Sequence, residues 1–332
     1  MSEALRDRYR GTLLGLFAGD ALGMPVEGWP LREIRARFSH QGGQVRELEE
    51  ARLGAGTYTD DTQMALALGE ALLASPDSPG DGIDLDRVAA CFAGAFAPER
   101  GYGGNTRRIL AAVRGGTPWR RAVGEMQLPG GSWANGAAMR VAPVALAFYP
   151  DPVAVGRAAE AQAEVTGHSH PVGRTGARLQ ALAVLAALRR GAEGEALEPL
   201  ELVAELRECS PGLPEEHEEA LEWIEAGLDA RPSEAVRSLG VSGRASESVP
   251  AALWAFLSCA RDPEGEAEGA IVRAVSLGGD ADTIGAMAGA LAGAYRGASA
   301  LPARWLDALE EGPRGRSYAV DLADRLYEGG TG

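Results

Sequence analysis

Two stretches near opposite ends of the sequence, GTLLGLFAGDALG (11–23) and GAMAGALAGAYRG (285–297), carry glycine at every fourth position. This spacing places the glycines of each stretch on one face of an α-helix. A glycine inside a helix costs roughly 0.8–1 kcal/mol relative to alanine, so such a row suggests two backbones packed too closely for side chains. We therefore expect the two stretches to contact each other, with Gly23 and Gly297 ending their helices.

The rest of the sequence also has the periodicity of helices, because alternating runs of β-branched and aromatic residues are scarce. Alanine and leucine recur at helical spacing in TQMALALGEALLA (62–74), LQALAVLAALRR (179–190) and LEPLELVAELRE (197–208). Segments rich in proline and glycine are predicted loops, namely SPDSPGDG (75–82), LPGGSWANG (128–136) and SPGLPEEHEE (210–219). The pattern predicts an all-α fold.

Length, charge and cysteine content exclude several classes of function. A chain of 332 residues permits one large domain or two of ordinary size. The net charge of −15 opposes binding to nucleic acid. The three cysteines have no spacing typical of a zinc cluster or a disulfide framework, which favours a reducing compartment. With no export signal and no apolar run of about 20 residues, we expect a monomeric cytoplasmic protein that binds no membrane.

The first acidic cluster lies in GTYTDDTQMALALGEALL (56–73), where Thr59, Asp60 and Asp61 directly precede an amphipathic helix. Asp60 with Gln63 three residues later resembles a capping box, and acids in a first turn suit the helix dipole. Taken alone, the segment is explained better by helix capping than by chemistry.

The second acidic cluster lies in SLGGDADTIGAMAGALAGAY (276–295) and contains Asp280, Asp282 and Thr283. Capping explains at most one of its acids, and oxygen ligands from successive residues suit Mg²⁺ or Mn²⁺ rather than zinc. If both clusters converge, their carboxylates need cations to neutralise them in a partly buried site. Two divalent ions about 3.5–4 Å apart can activate water and orient substrate oxygens, so hydrolysis is the natural chemistry.

Polar residues in two loops are further candidates. Glu27, in a loop rich in proline and glycine, is either a solvated acid or a residue that gates a site. The segment GGSWANGAAMR (130–140) offers backbone amides, the polar groups of Ser132 and Asn135, and Trp133 as a stacking surface. By itself this second segment is only a turn.

The histidines and cysteines carry weaker signals. His168 and His170 are separated by one residue and have no nearby cysteine, so a hydrogen bond to substrate is a better interpretation than a shared metal ion. Cys91, Cys209 and Cys259 stand among apolar or acidic residues and are predicted to be small buried side chains with no chemical role.

Six segments, taken together and in this order, resemble the ADP-ribosylglycohydrolase family. They are GTLLGLFAGDALGMPVEG (11–28), YTDDTQMALALGEAL (58–72), GYGGNTRRIL (101–110), SWANGAAMRVAPVALAFY (132–149), TGHSHPVGRTGARLQALAV (166–184) and SLGGDADTIGAMAGALAGA (276–294). The family includes the hydrolase that reactivates dinitrogenase reductase and mammalian ADP-ribosylarginine and ADP-ribosylserine hydrolases. The resemblance implies a compact all-α fold with a central cleft for two Mg²⁺ ions, Mn²⁺ being an alternative, and one domain spanning residues 1–332.

The resemblance also implies roles for individual residues. The implied metal ligands are Thr59, Asp60, Asp61, Asp280, Asp282 and Thr283. The implied substrate contacts are Gly103, Ser132, Trp133, Asn135 and His168, with Trp133 supporting the adenine. Glu27 resembles the acidic residue that gates the site, and the carboxylate that handles the proton is Glu27, Asp60, Asp61 or Asp282. Ala281 and Gly167 stand where relatives often have threonine, which puts the fine substrate preference in doubt.

The function implied is hydrolysis of the bond between ADP-ribose and an arginine or serine side chain of a protein. Two alternatives stay open: a catalytically silent family member that binds ADP-ribose or serves structurally, as lens J1-type crystallins do, and a metal-dependent hydrolase of free ADP-ribose derivatives or other phosphate compounds. The intact Asp280-x-Asp282-Thr283 argues against a silent protein, because loss of metal ligands is its usual sign.

Overall fold

A computed structural model of the chain describes residues 2–74, 82–260 and 267–329. Within these ranges there are seventeen α-helices and no β-sheet, so the all-α fold predicted from the sequence is confirmed. The helices are α1 (Glu3–Gly23), α2 (Leu31–Arg37), α3 (Asp60–Leu73), α4 (Leu85–Ala95), α5 (Gly104–Arg114), α6 (Trp119–Met126), α7 (Ala142–Ala147), α8 (Pro152–Glu164), α9 (Pro171–Glu193), α10 (Pro199–Glu208), α11 (Glu215–Ala226), α12 (Pro232–Leu239), α13 (Ala245–Ala260), α14 (Ala267–Val275), α15 (Ala281–Arg296), α16 (Ala303–Ala308) and α17 (Arg316–Gly329). Short 3₁₀ turns cover Met24–Val26, Ser39–Gln41, Pro98–Arg100, Asn135–Ala137 and Ala298–Ala300.

The two glycine rows contact each other, as predicted. Helices α1 and α15 run antiparallel, and a methyl group added to Gly15 or to Gly289 would overlap the backbone of the other glycine. The same close approach brings Gly11 against Gly293, Gly19 against Gly285, and Gly23 against Ala281 and Asp282. Gly23 is the last residue of α1, and Gly297 follows α15 with φ at +92°, so the outermost glycines also end their helices as expected.

Other helices surround this pair and bring both ends of the chain together. Helix α15 packs against α9, α13 and α14, while α1 packs against α17. Asp324 on α17 accepts hydrogen bonds from the guanidinium groups of Arg6 and Arg10 on α1, at 2.7–2.9 Å. At its other end, α1 lies against the start of α15, where the second acidic cluster begins.

The three predicted loops have different outcomes. The segment 128–136 lies outside the α-helices, as predicted, apart from the 3₁₀ turn that starts at Asn135. The second half of 210–219 is helical, because Pro214 precedes α11 and three glutamates in its first turn suit the positive end of the helix dipole. Of the loop 75–82, residues 75–81 lie outside the described residues. No helix in the described ranges combines the length and apolarity needed to span a bilayer.

Candidate active site

A cleft of about 370 Å³ lies where the starts of α3, α5 and α15 face the loops that contain Glu27 and Ser132. This volume is within the range of small-molecule sites. Its lining includes most of the residues singled out in the sequence, namely Glu27, Asp60, Asp61, Gly103, Ser132, Asn135, His168, Asp280, Asp282 and Thr283. Thr59 and Trp133 are not among the lining residues.

Helix α3 begins at the cleft because a carboxylate from α1 caps it. Asp20 is fully buried, and its carboxylate accepts hydrogen bonds from the backbone N–H groups of Thr59 and Thr62, each at 3.0 Å. It also accepts one from the Thr62 hydroxyl at 2.6 Å. An N–H group that the helix start leaves unpaired, that of Thr62, is thus satisfied by a carboxylate from another helix.

The capping-box interpretation of the first cluster is therefore wrong. Thr59 is the residue before the helix and makes no side-chain cap, while Asp60 and Asp61 are the first two residues of α3. The Gln63 side chain accepts a hydrogen bond from the Tyr102 hydroxyl at 2.6 Å instead of turning back to the helix start. Because Asp20 performs the capping, the two acids of the first turn face the cleft.

The second cluster is positioned by a glycine turn that is paired with the loop carrying Glu27. Gly28 donates to the Gly279 carbonyl at 2.7 Å, and Gly279 donates to the Trp29 carbonyl at 2.9 Å. Gly279 has φ at +66°, and a side chain there would overlap the carbonyl of Val241. These contacts fix Asp280, whose backbone N–H donates to Val241 at 2.8 Å, next to the Glu27 loop.

Asn135 connects the Ser132 loop to the second acidic cluster. Its Nδ2 donates to Asp280 Oδ2 at 2.5 Å and to the Ser248 hydroxyl at 3.0 Å. Its backbone N–H donates to the Gly243 carbonyl at 2.9 Å. The amide of Asn135 thereby sets the orientation of the Asp280 carboxylate.

The acidic residues form two groups of converging oxygens. Oxygen atoms of Asp20, Asp61 and Asp282 lie within 4.8 Å of one another, and so do oxygen atoms of Glu27, Asp280 and Asp282. Asp282 belongs to both groups. Asp61 Oδ2 accepts from the Thr59 hydroxyl at 3.0 Å, whereas its buried Oδ1 has no hydrogen-bond donor among the described residues. A buried carboxylate oxygen without a donor is the position that a cation would occupy.

The electrostatics of these groups also favour a cation. Burial, and then the charge of Asp20, raises the pKa of Asp60 to about 8. Burial and neighbouring carboxylates likewise raise the pKa values of Asp61 and Asp282 well above their usual range. The pKa of Asp280 is raised chiefly by burial. Because every donor is an oxygen, the set fits a hard divalent cation such as Mg²⁺ or Mn²⁺.

Another part of the cleft wall offers hydrogen-bond donors rather than acids. Gly103 and the first residues of α5 line this wall, and Asn105 contributes a buried Nδ2 with no partner among the described residues. His168 is buried, and its Nδ1 lies 2.9 Å from the Thr166 hydroxyl. Burial, and then the nearby Arg140, lowers the pKa of His168 to about 3, so the ring is neutral. This wall therefore suits oxygen atoms of an anionic ligand.

The remaining predicted residues lie at the edge of the site. Trp133 is 45% exposed, and the Arg244 guanidinium lies 5.3 Å above the centre of its ring. Glu27 is half-exposed and pairs with Arg52 at 3.5 Å. His170 accepts a hydrogen bond from the backbone N–H of Val172 at 3.2 Å, at the start of α9. His168 and His170 thus have different partners.

Two buried charges in the site were not identified from the sequence. Asp20 stands in the apolar run GLFAGDALG, and Arg140 stands in the apolar run AAMRVAPVALAF. Both are fully buried, and Arg140 lines the cleft. The sequence feature that could have identified them is a single charged residue inside an otherwise apolar run, because a charge buried in a core requires partners.

Comparison with known proteins agrees with this geometry. The sequence profile of a family described as ADP-ribosylglycohydrolase matches residues 1–332. The chain is 34% identical to the ADP-ribosylhydrolase ARH3 of Bos taurus, over 91% of this chain and 88% of that protein. It is 33% identical to the ADP-ribosylhydrolase ARH3 of Homo sapiens, over 91% and 89%.

A solved structure, titled an ADP-ribosylglycohydrolase-related protein complex, superposes with a TM-score of 0.74 and 32% identity. The superposition covers 99% of this chain and 100% of that one. The predicted enzyme class, a hydrolase of glycosidic bonds, is the one that the family's description names. By sequence and by fold, this chain belongs to the ADP-ribosylglycohydrolase family.

Proposed function

We propose that this protein is a metal-dependent hydrolase that cleaves the glycosidic bond between ADP-ribose and an arginine or serine side chain. The observation that carries the proposal is that two clusters of carboxylate oxygens, which share Asp282, lie in a cleft whose lining also includes hydrogen-bond donors. The carboxylates suit cations, and the donors suit a ligand rich in phosphate and hydroxyl oxygens. Residues 1–332 act as one unit in this proposal, and cytoplasmic location and a monomeric state stay predictions.

The residues that would hold two Mg²⁺ ions are those named from the sequence. They are Thr59, Asp60, Asp61, Asp280, Asp282 and Thr283. Asp20 is also near these oxygens, but its carboxylate already accepts the hydrogen bonds that cap α3. When bound, a pair of divalent cations polarises substrate oxygens and lowers the pKa of water.

The donor wall would bind the ADP-ribose part of the substrate. The start of α5, after Gly103, would present backbone N–H groups to phosphate oxygens, and the Ser132 loop would add the serine hydroxyl. His168 would donate to a substrate oxygen. Trp133, exposed beside this loop, offers a flat surface for the adenine ring. Asn135 would support the site by holding the Asp280 carboxylate through its side-chain amide, in addition to any contact with the substrate.

Glu27 is the carboxylate that we favour for proton transfer. It lies within the oxygen group of Asp280 and Asp282, yet its side chain is half-exposed at the cleft mouth, where an acceptor side chain would leave. The other candidates, Asp60, Asp61 and Asp282, lie deeper and would be engaged with cations. A carboxylate that exchanges protons with solvent is better suited to act as acid and base in successive steps.

The test is to incubate the purified protein with arginine-linked and serine-linked ADP-ribosyl peptides and with O-acyl-ADP-ribose, in Mg²⁺ or in chelator. We expect release of intact ADP-ribose from at least one peptide, and none after chelation. Release of AMP would identify cleavage of the pyrophosphate instead. Binding of ADP-ribose without turnover would identify a silent protein, and turnover of O-acyl-ADP-ribose alone would move the function to free derivatives.

A further inference from the structure

Arg140 is a buried cation in the cleft wall without a carboxylate partner. It is fully buried between the 3₁₀ turn Asn135–Ala137 and α7, and it forms no ion pair within the described part of the chain. Its guanidinium lies 4.5 Å above the centre of the Phe92 ring. Burying an unpaired charge is costly unless hydrogen bonds to the charged group offset the loss of hydration.

The guanidinium donates hydrogen bonds to Gln162 in the last turn of α8, to Thr166 just after that helix, and to Met64 on α3, where Nη1 lies 3.6 Å from Sδ. Nε donates to Gln162 Oε1 at 2.7 Å, and Nη2 donates to the Gln162 carbonyl at 3.2 Å. Nη2 also donates to the hydroxyl oxygen of Thr166 at 2.9 Å. Arginine has only donors, so the Thr166 oxygen is an acceptor in this contact and its hydroxyl proton is directed elsewhere.

The only other partner of the Thr166 hydroxyl among the described residues is Nδ1 of His168, at 2.9 Å. If Nδ1 carried a proton, the hydroxyl oxygen would face two donors, and the hydroxyl proton would be buried without an acceptor. The arrangement is satisfied when the hydroxyl donates to Nδ1. A neutral imidazole that accepts at Nδ1 carries its proton on Nε2.

The Nε2 edge of His168 is free to meet a ligand. His168 and Gly136 both line the cleft, and no described residue forms a hydrogen bond with Nε2. A side chain at Gly136 would lie 2.8 Å from Nε2, so glycine at this position keeps the approach open. The donor at Nε2 therefore faces space that a substrate oxygen can occupy.

We infer that Arg140 is a positioning residue that acts through the Thr166 hydroxyl to hold His168 as a neutral ring donating from Nε2 to a substrate oxygen. The identity of the substrate rests on the proposed function, whereas the position of the proton on the His168 ring does not. Arg140 touches neither the acidic groups nor the substrate in this inference, and its effect passes through a single hydroxyl.

The experiment measures the histidine ring directly and ADP-ribose binding separately. The chain has four histidines, so the ¹⁵N signals of His168 can be assigned by comparison with His168→Asn. The variants are Thr166→Val, which removes the hydroxyl at nearly constant volume, and Arg140→Lys, which keeps the charge but not the planar fork. The matched control is Thr12→Val, since Thr12 is also fully buried and donates to the Arg8 carbonyl at 2.8 Å, on α1.

We expect the wild type and Thr12→Val to show His168 protonated on Nε2 at pH 7. Thr166→Val and Arg140→Lys should show a mixture of both ring forms and bind ADP-ribose about tenfold more weakly in calorimetry with Mg²⁺. A wild-type ring protonated on Nδ1, or either variant with the wild-type ring form or the wild-type affinity, would overturn the inference. If the ring responds as expected while no ADP-ribosyl peptide is cleaved, the inference stands and only the proposed function fails.

Discussion

The two acidic clusters look alike in the sequence but are supported in different ways in the fold. Each lies at the start of a helix, Thr59–Asp61 at α3 and Asp280–Thr283 at α15. The first is held by a carboxylate, that of Asp20, which is fully buried in the middle of the protein. The second is held by backbone hydrogen bonds of a glycine turn and by the amide of Asn135.

This difference assigns separate tasks to the two halves of the site. The first cluster is fixed to the helical core, so its acids move only if α1 and α3 move. The second is fixed to loops that also form the cleft mouth, including the one that carries Glu27. Asp282 belongs to both oxygen groups and joins the halves. The following substitutions test whether the core and the loops contribute as this comparison indicates.

Substitution of Asp282 should have the largest effect, because this residue is common to both oxygen groups. We expect Asp282→Asn to lower kcat/KM by at least about 10³-fold and to weaken the binding of both Mg²⁺ ions. Asp280→Asn should lower kcat/KM less than Asp282→Asn does and should weaken mainly one ion, because Asp280 belongs to only one oxygen group. Turnover of an ADP-ribosyl peptide and Mg²⁺ calorimetry measure these effects.

Asp151→Asn is the control, because Asp151 caps α8 away from the cleft and asparagine caps equally well. Full activity in Asp282→Asn would contradict the site assignment.

The glycine contact between α1 and α15 keeps the second cluster at its distance from the first. Gly289→Ala places a methyl group against the Gly15 carbonyl, so we expect a loss of about 3 kcal/mol in the free energy of unfolding. Gly94→Ala is the matched control: Gly94 is also helical but has open space around it, and it should gain about 0.5 kcal/mol. Chemical denaturation measures both. Equal stabilities for the two variants would show that the helices can separate without cost.

Asp20→Ala tests the carboxylate that supports the first cluster. The substitution leaves the N–H groups of Thr59 and Thr62 and the Thr62 hydroxyl without an acceptor, so we expect a loss of about 2–3 kcal/mol together with reduced turnover. Asp84→Ala removes a cap that α4 makes with its own preceding residue and should cost about 1 kcal/mol. If both variants lose the same stability and Asp20→Ala keeps its turnover, Asp20 is an ordinary cap.

Removing the metal should make stability fall as pH rises. An acid whose pKa is higher in the folded protein than in the unfolded chain, where it is about 3.9, contributes its full stabilisation below pH ~4. This contribution is lost as the pH rises from the unfolded pKa to the folded pKa. For Asp60 the folded pKa is about 8. In chelator, we expect the unfolding free energy to drop by at least about 1.4 kcal/mol between pH 5 and 8, with Mg²⁺ restoring it at pH 8. Thermal melts in both conditions measure this, and a metal-free protein that gains stability over the range would contradict the prediction.

The features that could be predicted from the sequence are those that repeat or stand in local patterns. The glycine rows predicted the contact between α1 and α15 because four-residue spacing has one structural meaning in a helix. Asp280 and Asp282 could be proposed as oxygen ligands because only one residue separates them, directly after a Gly-Gly turn. Both inferences needed only the chemistry of neighbouring residues.

The residues that could not be predicted act over long distances in the chain. The sequence around α3 does not show whether the helix is capped by Asp60, at its own start, or by Asp20, which lies on α1. The hydrogen bonds from Arg140 through Thr166 to His168 also depend on how the end of α8 packs, which the sequence pattern does not specify. The start of α11 was missed because a proline-rich segment with several acids fits both a loop and a helix start.

Asn135→Ala should have the smallest effect and is the most informative test of the loop side of the comparison. If the amide only orients Asp280, its loss should weaken Mg²⁺ binding about tenfold and leave the KM for substrate nearly unchanged at saturating Mg²⁺. If it also contacts ADP-ribose, as the family resemblance implies, KM should rise at saturating Mg²⁺. Ser248→Ala is the control, because it removes the second partner of the amide and leaves the bond to Asp280 intact. An effect of Ser248→Ala as large as that of Asn135→Ala would mean that the loop as a whole, rather than the bond to Asp280, holds the second cluster.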